Sequence, residues 1–365
     1  MKIGVPKEIA ANERRVALTP DVAGRLIKGG FAVVVERGAG TAAFFPDEAY
    51  SAAGVKISDR SSVIGQSDIV LQVQAPGAGE LAQYREGGGV VAFFQPVPDY
   101  VRQLAQRKLT AFSLVLLPRI TRAQPMDVLS SQATVAGYKA VLLAASASGR
   151  LFPMLVTAAG TLPAARVLVL GAGVAGLQAI ATARRLGAIV SAFDVRPAVK
   201  EQVQSLGATF LEMAIAEHAE TAGGYAKELS EETHRQELAF LAGAAKDADI
   251  VITTAAIPGK KAPMLITAAA VQGMKPGSVI VDLAAETGGN CELTEPGSEI
   301  VRNGVAILGP LNLASTLPRD ASQMYARNVA AFLGHIVQDG KLRLDFEDQI
   351  IRDTCVTHAG EVRKS

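Results

Sequence analysis

The stretch RVLVLGAGVAGLQAIATARRLGAIVSAFD, residues 166–194, constrains the fold more than any other. It reads as a β-branched strand, a glycine turn, a helix and a second strand. Gly171, Gly173 and Gly176 stand at the strand-to-helix junction in the spacing Gly-x-Gly-x-x-Gly. The first glycine permits a tight turn, the second lets backbone approach a pyrophosphate, and the third lets helix and strand pack closely. The helix N-terminus, opening at Val174, offers free N–H groups and partial positive charge to phosphate oxygens. The second strand ends at Asp194, 23 residues after Gly171. A dinucleotide fold places there the carboxylate that accepts ribose hydroxyls. A carboxylate repels a 2′-phosphate, so NAD(H) is favoured over NADP(H). Arg196 points the other way, because a nearby arginine can receive that phosphate. A glycine-rich turn with no ligand is the plain alternative.

The chain has 365 residues, more than one core usually organises, so two domains are expected. A weak repeat supports this. GQSDIVLQVQAPG (65–77) resembles KDADIVITTAAIPG (246–259), each an acidic lead-in, a β-branched strand and a Pro-Gly turn. The first unit opens with a strand in KIGVP, then a helix in TPDVAGRLIKGG with Thr19 as N-cap, Pro20 in its first turn and Gly29 or Gly30 as its stop. Strand–helix alternation predicts α/β architecture, two Rossmann-like doubly wound parallel-sheet domains. The expected bounds are 1–129 plus 311–365 for the first domain and 130–310 for the NAD(H)-binding second, which is inserted in the first. A cleft between them is the expected ligand site.

Net charge is +1, with no basic footprint, so nucleic acid is not an expected partner. Two cysteines, Cys291 and Cys355, show no metal-type spacing, which predicts no metal site and free thiols in a reducing compartment. MKIGVPKE carries no signal-peptide core, and no apolar run reads as a transmembrane helix.

The stretch LPRITRAQPMDVLSSQ, residues 117–132, gathers Arg119, Arg122, Gln124, Asp127 and Ser130 between an apolar strand and a helix. It is either a polar linker with one helix cap or a ligand-holding constellation. The groups that alcohol or amine dehydrogenation needs are scarce nearby. The four histidines, His218, His234, His335 and His358, all follow residue 217, and no lysine lies between Lys56 and Lys108. Arg15 can hold a carboxylate but has no evident partner, and a surface pair with Arg14 is the bland reading. EHAETAGGYAKELSEETHRQE is either a solvated surface helix or a loop that closes over the nucleotide through Tyr225. One acceptor suits a nicotinamide site without acid or base, namely a second nicotinamide, because hydride transfer between two such rings moves no proton at the reacting carbons.

IGVPKE with ERRVALTP, PRITRAQPMDVLSSQ, GAGVAG, FDVR, GGYAKE, TTAAIPGKKAPMLI and VDLAAETGGNCELTEPG together resemble the NAD(H)-binding domain I, or soluble alpha subunit, of proton-translocating NAD(P) transhydrogenases. The resemblance spans nearly the whole chain. It implies that NADH held here passes hydride to NADP+ on a separate domain III, and that a membrane domain II couples the step to proton movement. It implies that Arg119, Gln124, Asp127 and Ser130 line the nicotinamide. Gly171, Gly173, Val174 and Gly176 would take the pyrophosphate, and Asp194, Val195 and Arg196 the adenosine ribose. Gly224 and Tyr225 would belong to a mobile loop, and Ala256 would lie nearest the adenine. THRQE, after that loop, departs from the family pattern. A homodimer is implied, cytoplasmic and peripheral at the inner face of the membrane through its partner subunits.

The same superfamily includes alanine dehydrogenase. There the strand matching LQVQAPG carries a catalytic lysine and the strand matching VVAFFQP a catalytic histidine. This chain has Gln74 and Gln95, and Glu286 where that family has an aspartate. An NAD-dependent amino-acid dehydrogenase is the second reading, and a non-catalytic nucleotide sensor the third.

Overall fold

Strand β1 (Lys2–Val5) leads to α1 (Pro20–Lys28), β2 (Ala32–Glu36), α2 (Asp47–Ala52), β3 (Lys56–Ser58) and α3 (Arg60–Gly65). Next come β4 (Ile69–Leu71), β5 (Gly89–Ala92), α4 (Pro98–Gln106), β6 (Thr110–Ser113) and the long α5 (Val128–Ala147). A hairpin of β7 (Leu155–Thr157) and β8 (Gly160–Leu162) precedes β9 (Arg166–Leu170), α6 (Val174–Arg185), β10 (Ile189–Phe193), α7 (Lys200–Ser205) and β11 (Thr209–Phe210). Then follow α8 (Glu231–Asp247), β12 (Ile250–Thr253), α9 (Ala268–Gly273), β13 (Val279–Asp282), β14 (Glu299–Arg302) and β15 (Val305–Leu308). The chain closes with α10 (Pro318–Ile336), the pair β16 (Val337–Gln338) and β17 (Lys341–Leu342), α11 (Gln349–Thr354), β18 (Cys355–His358) and β19 (Glu361–Val362). The computed structural model describes residues 1–213, 230–256 and 260–364.

Two compact units result, 1–132 with 314–365, and 133–313. These divisions fall three residues beyond the bounds expected from sequence (132 against 129, 313 against 310). Side chains explain the shift. Gln132 is tied into the first unit by the Arg15 guanidinium and the carbonyl of Ala321, whereas Leu313 packs in the core of the second.

Each unit is doubly wound in the same strand order. The first sheet runs β3-β2-β1-β4-β5-β6, all parallel, with β18 and β19 added antiparallel at the β6 edge. The second runs β11-β10-β9-β12-β13-β15, all parallel, with β14 antiparallel at the edge. The repeated sequences put β4 and β12 in equivalent places, each beside the first strand of its sheet. Winding reverses there, and a crevice opens beyond the strand ends at such a reversal.

Both faces of each sheet are covered, as continuous β-branched runs require. In the first unit Ile69, Leu71, Val91 and Phe112 face one core while Val70, Val90 and Ala111 face the other. In the second, Val167, Val169, Val190 and Ile252 face one core and Leu168, Leu170, Phe193 and Val251 the other. Helix α10 returns the chain to the first unit by burying Tyr325, Val329, Phe332, Leu333 and Ile336.

Helix α5 corrects one expectation. By length and composition it is apolar enough to cross a membrane, the one such helix among the described residues. Within this fold its Val128 lies in the first unit's core, and Ala140, Val141 and Ala144 lie in the second's.

Helix α5 also approaches α6 closely. A methyl on residue 137 would lie 2.1 Å from the carbonyl oxygen of Ala175. Alanine is a better helix former than glycine by about 1 kcal/mol. At Gly137 the obstacle is backbone and cannot rotate away, so Gly137→Ala should destabilise the protein by about 1–3 kcal/mol. At Gly243 in α8 the added methyl meets nothing, and Gly243→Ala should stabilise by about 1 kcal/mol. Urea unfolding of the two variants checks the opposite signs.

Candidate functional site

The glycine turn after β9 folds as its spacing predicts. Gly171 has φ +95°, a conformation that L side chains rarely adopt. A methyl on Gly176 would lie 1.9 Å from the carbonyl oxygen of Gly171, so the helix start and the turn are in backbone contact. Gly173 differs, because a methyl there would meet no described atom. Gly173 is the extended residue before α6, and Val174 opens the helix half-exposed. The space over Gly173 is therefore not demanded by the protein's own packing, which is what close approach of a pyrophosphate requires.

Thr254, just beyond β12, completes the turn. Its hydroxyl donates to the Gly171 carbonyl at 2.9 Å, and its amide N–H donates to the Leu170 carbonyl. Asn290 braces the same loop from the far side. It accepts from the N–H of Ala255 and donates to the carbonyls of Ala255 and Pro263. Asn290 is held in turn by the buried Asp282, which also accepts from Thr253, Ala284, Cys291 and Thr294. Ala256 sits exposed beyond this brace.

Asp194 is buried at the end of β10. It accepts from the N–H of Ala172 in the glycine turn at 2.7 Å. Arg196 donates to it through its backbone N–H, Nε and Nη2, at 2.9, 2.9 and 2.7 Å. Arg196 is thus a partner of Asp194, a pairing that sequence reasoning missed. Val195 packs on the apolar core below. Gly224 and Tyr225 lie outside the described residues, as does His218.

In the first unit, the stretch after β6 forms a 3-10 turn over Thr121–Met126. Ala123 and Met126 bury themselves in the core and point the intervening residues outward. The turn is pinned at two further places. Asn328 of α10 donates to the Pro125 carbonyl at 2.8 Å, and Arg122 donates to Asp348 at 2.9 Å. Asp348 also faces His335 at 3.2 Å and caps α11. Burial opposes ionisation of Asp348, but the hydrogen bonds from Arg122 and His335 prevail and hold its carboxyl at about 2. Gln124 and Arg119 are left exposed on this pinned turn. Asp127 and Ser130 are instead joined to each other, since the Ser130 N–H and hydroxyl donate to the two carboxylate oxygens at 2.8 and 2.5 Å. The cap reading of this stretch therefore accounts for two of its polar residues.

The N-terminal region of alanine dehydrogenase/PNT matches residues 4–136, and the C-terminal domain of the same family matches residues 140–365. The chain belongs to the alanine dehydrogenase/PNT family. The C-terminal family region includes 314–365, which pack in the first unit. An NAD(P) transhydrogenase subunit alpha protein of Rhodospirillum rubrum is 49% identical over 99% of this chain and 97% of its own length. The crystal structure of transhydrogenase from Sinorhizobium meliloti superposes with a TM-score of 0.90 at 46% identity, covering 99% of this chain and all of that one. "Alanine dehydrogenase 2" of Staphylococcus aureus is 30% identical over 88% of this chain and 83% of that protein.

The two branches of the family are told apart at the reversal point of the first sheet. Arg15 is buried there and fully engaged, against the expectation that it lacked a partner. It donates to Glu13 through Nε and Nη2 at 2.8 and 2.6 Å, and to Gln132 through Nη1 at 2.8 Å. Arg14 is the exposed member of the pair. Gln74 donates its amide to Glu13 at 2.7 Å, so position 74 offers neither a base nor a cation. Gln95 is exposed and cannot titrate. Glu286 accepts from the N–H of Asn312.

Two carboxylates in this cluster are driven apart. Burial would raise Glu13, but Arg15 and Gln74 outweigh it and hold the carboxyl down at about 2. Burial pushes the Glu8 carboxyl up to about 8 despite the N–H groups of Val73 and Gln74, and the charge of Glu13 adds to the push. Glu8 ordinarily titrates near 4.5, so the folded protein binds its proton more tightly than the unfolded chain does. Stability from this group is therefore present at low pH and declines as pH rises through the window from 4.5 to about 8. Relative to Glu8→Gln, the wild-type protein should lose up to about 1.4 kcal/mol per pH unit across that window. Urea unfolding at stepped pH checks it, and a constant difference between the two proteins would contradict it.

Proposed function

We propose that this chain is the NAD(H)-binding component of a proton-translocating NAD(P) transhydrogenase. Bound NADH supplies the hydride, and the acceptor is NADP+ on a partner domain. In this reading Gly171, Gly173, Val174 and Gly176 hold the pyrophosphate, and Asp194, Val195 and Arg196 hold the adenosine ribose. Ala256, with Gly224 and Tyr225, covers the nucleotide. Arg119, Gln124, Asp127 and Ser130 orient the nicotinamide. Redox work at this subunit is linked to proton movement through a membrane domain, which places the chain in the cytoplasm at the inner face of the membrane.

The observation that carries the reading is the pairing of a fitted dinucleotide turn with amides at positions 74 and 95. The Gln74 amide is committed to Glu13, and the polar residues offered at the nicotinamide position stand on a turn pinned by Asn328 and Asp348. Ring-to-ring hydride transfer asks for fixed orientation and no proton relay, which is what such a turn supplies. The high identity to a protein named transhydrogenase subunit alpha supports the same conclusion.

Mixing the purified chain with an NADP(H)-loaded domain III should give NADH-dependent reduction of an acetylpyridine analogue of NAD+. Gln124→Asn should slow that turnover at least about tenfold while shifting NADH affinity much less, because it displaces the ring rather than the anchoring groups. Equal losses in rate and affinity would make Gln124 a binding contact only. Formation of NADH from alanine and NAD+ by the chain alone would favour the alanine-dehydrogenase reading instead.

We also propose that the component is a homodimer. The β7–β8 hairpin of the second unit exposes Met154, Val156 and Leu162 at 62%, 74% and 51%, a concentration of apolar surface that a second copy would cover. Val156→Asp should shift the sedimentation velocity profile toward monomer, and an unchanged profile would remove the hairpin from the interface.

A further inference from the structure

Helix α8 packs one face against its sheet, and the buried residues of that face are Glu237, Leu241 and Ala245. Leu241 and Ala245 join the apolar core with Leu168, Leu170, Phe193 and Val251. The four-residue spacing puts Glu237 on the same stripe, one turn earlier. It is 3% exposed. A carboxylate in that place is costly, and an apolar residue would fill it at no such cost. Its contact with His234, at 2.9 Å, satisfies one oxygen and does not explain why an acid stands there.

Its surroundings suggest a reason. The Phe240 ring, three residues along α8, packs 5.6 Å from that of Phe193, the residue before Asp194. Glu237 thus stands beside the end of β10. Burial raises its pKa, the His234 contact lowers it, and the charge of Asp194 raises it again. Asp194 meanwhile is matched in charge by Arg196, with Nη2 2.7 Å away. The Asp194–Arg196 pair is close to neutral, and arginine is the side chain suited to accepting a 2′-phosphate. Asp194 alone therefore gives weak discrimination.

We infer that Glu237 is a specificity residue, the second carboxylate that makes the ribose end of the site net negative and rejects a 2′-phosphorylated nucleotide. The inference rests on the reading that Asp194 takes the adenosine ribose. Like charges facing one another in a partly buried site separate affinities by about tenfold or more.

The test titrates NADH and NADPH against the full chain, followed by nucleotide fluorescence, for wild type, Glu237→Gln, Glu237→Leu and Asp194→Ala. Glu237→Gln keeps the shape and removes the charge, and Glu237→Leu continues the apolar stripe. Both should tighten NADPH binding by about tenfold and move NADH binding by less than about threefold. Unchanged NADPH binding, or equal changes for both nucleotides, would overturn the inference and leave Glu237 a structural residue. Asp194→Ala should weaken NADH. If it does and the Glu237 variants keep wild-type discrimination, the ribose reading stands and this inference fails. If Asp194→Ala leaves NADH binding unchanged, the ribose reading fails and the inference falls with it.

Discussion

The carbonyl oxygen of Gly171 occupies the place that a side chain on residue 176 would need, with only 1.9 Å to spare. That contact closes the angle between β9 and α6 and fixes where the helix N-terminus points. Thr254 reinforces it from β12 by donating to the same carbonyl. Two strands on either side of the winding reversal are thereby locked to one helix start. Asp194 is aligned by the next amide along, the N–H of Ala172. A larger residue at 171 or 176 would move all of these together, whereas Gly173 faces open space and answers to a ligand.

The same strand order occurs twice, yet the two reversal points have different contents. In the second unit the space beyond the strand ends is bordered by glycine, backbone N–H groups and one carboxylate. In the first it holds Glu8, Glu13, Arg15, Gln74 and Gln132, bonded to one another. The second arrangement offers dipoles to a phosphate. The first has satisfied its own charges. Kinship with alanine dehydrogenase is plain in the fold, and the division of labour is set by which residues stand at these two points.

Much of this was legible beforehand because it was local. The glycine spacing, Thr19 with Pro20, and the repeated strands around 69 and 250 each depend on neighbours in sequence, and α1, β4 and β12 form where they were expected. The polar pairings were less legible. Glu13 is two residues from Arg15, but nothing in the sequence says that their loop turns both inward. Arg196 read as a possible phosphate ligand, and the turn at β10 folds it back on Asp194. Asp348 and Asn328 reach the Thr121–Met126 turn from about two hundred residues away, a separation no local pattern encodes. Glu237 was hidden for the opposite reason, since a glutamate in a charged helix carries no sign that it faces inward. The assignment of Arg119, Gln124, Asp127 and Ser130 came from family resemblance. Geometry adds that the last two bond to each other and the first two are presented outward.

The central claim is that this subunit orients one nicotinamide for direct hydride transfer to another without an acid or base of its own. The most direct measurement follows deuterium from the 4-position of NADH in a mixture with an NADP+-loaded partner domain. Direct transfer predicts that the label arrives on the nicotinamide ring of NADPH undiluted by solvent hydrogen. Label lost to water, or no label in NADPH with a competent partner, would contradict it.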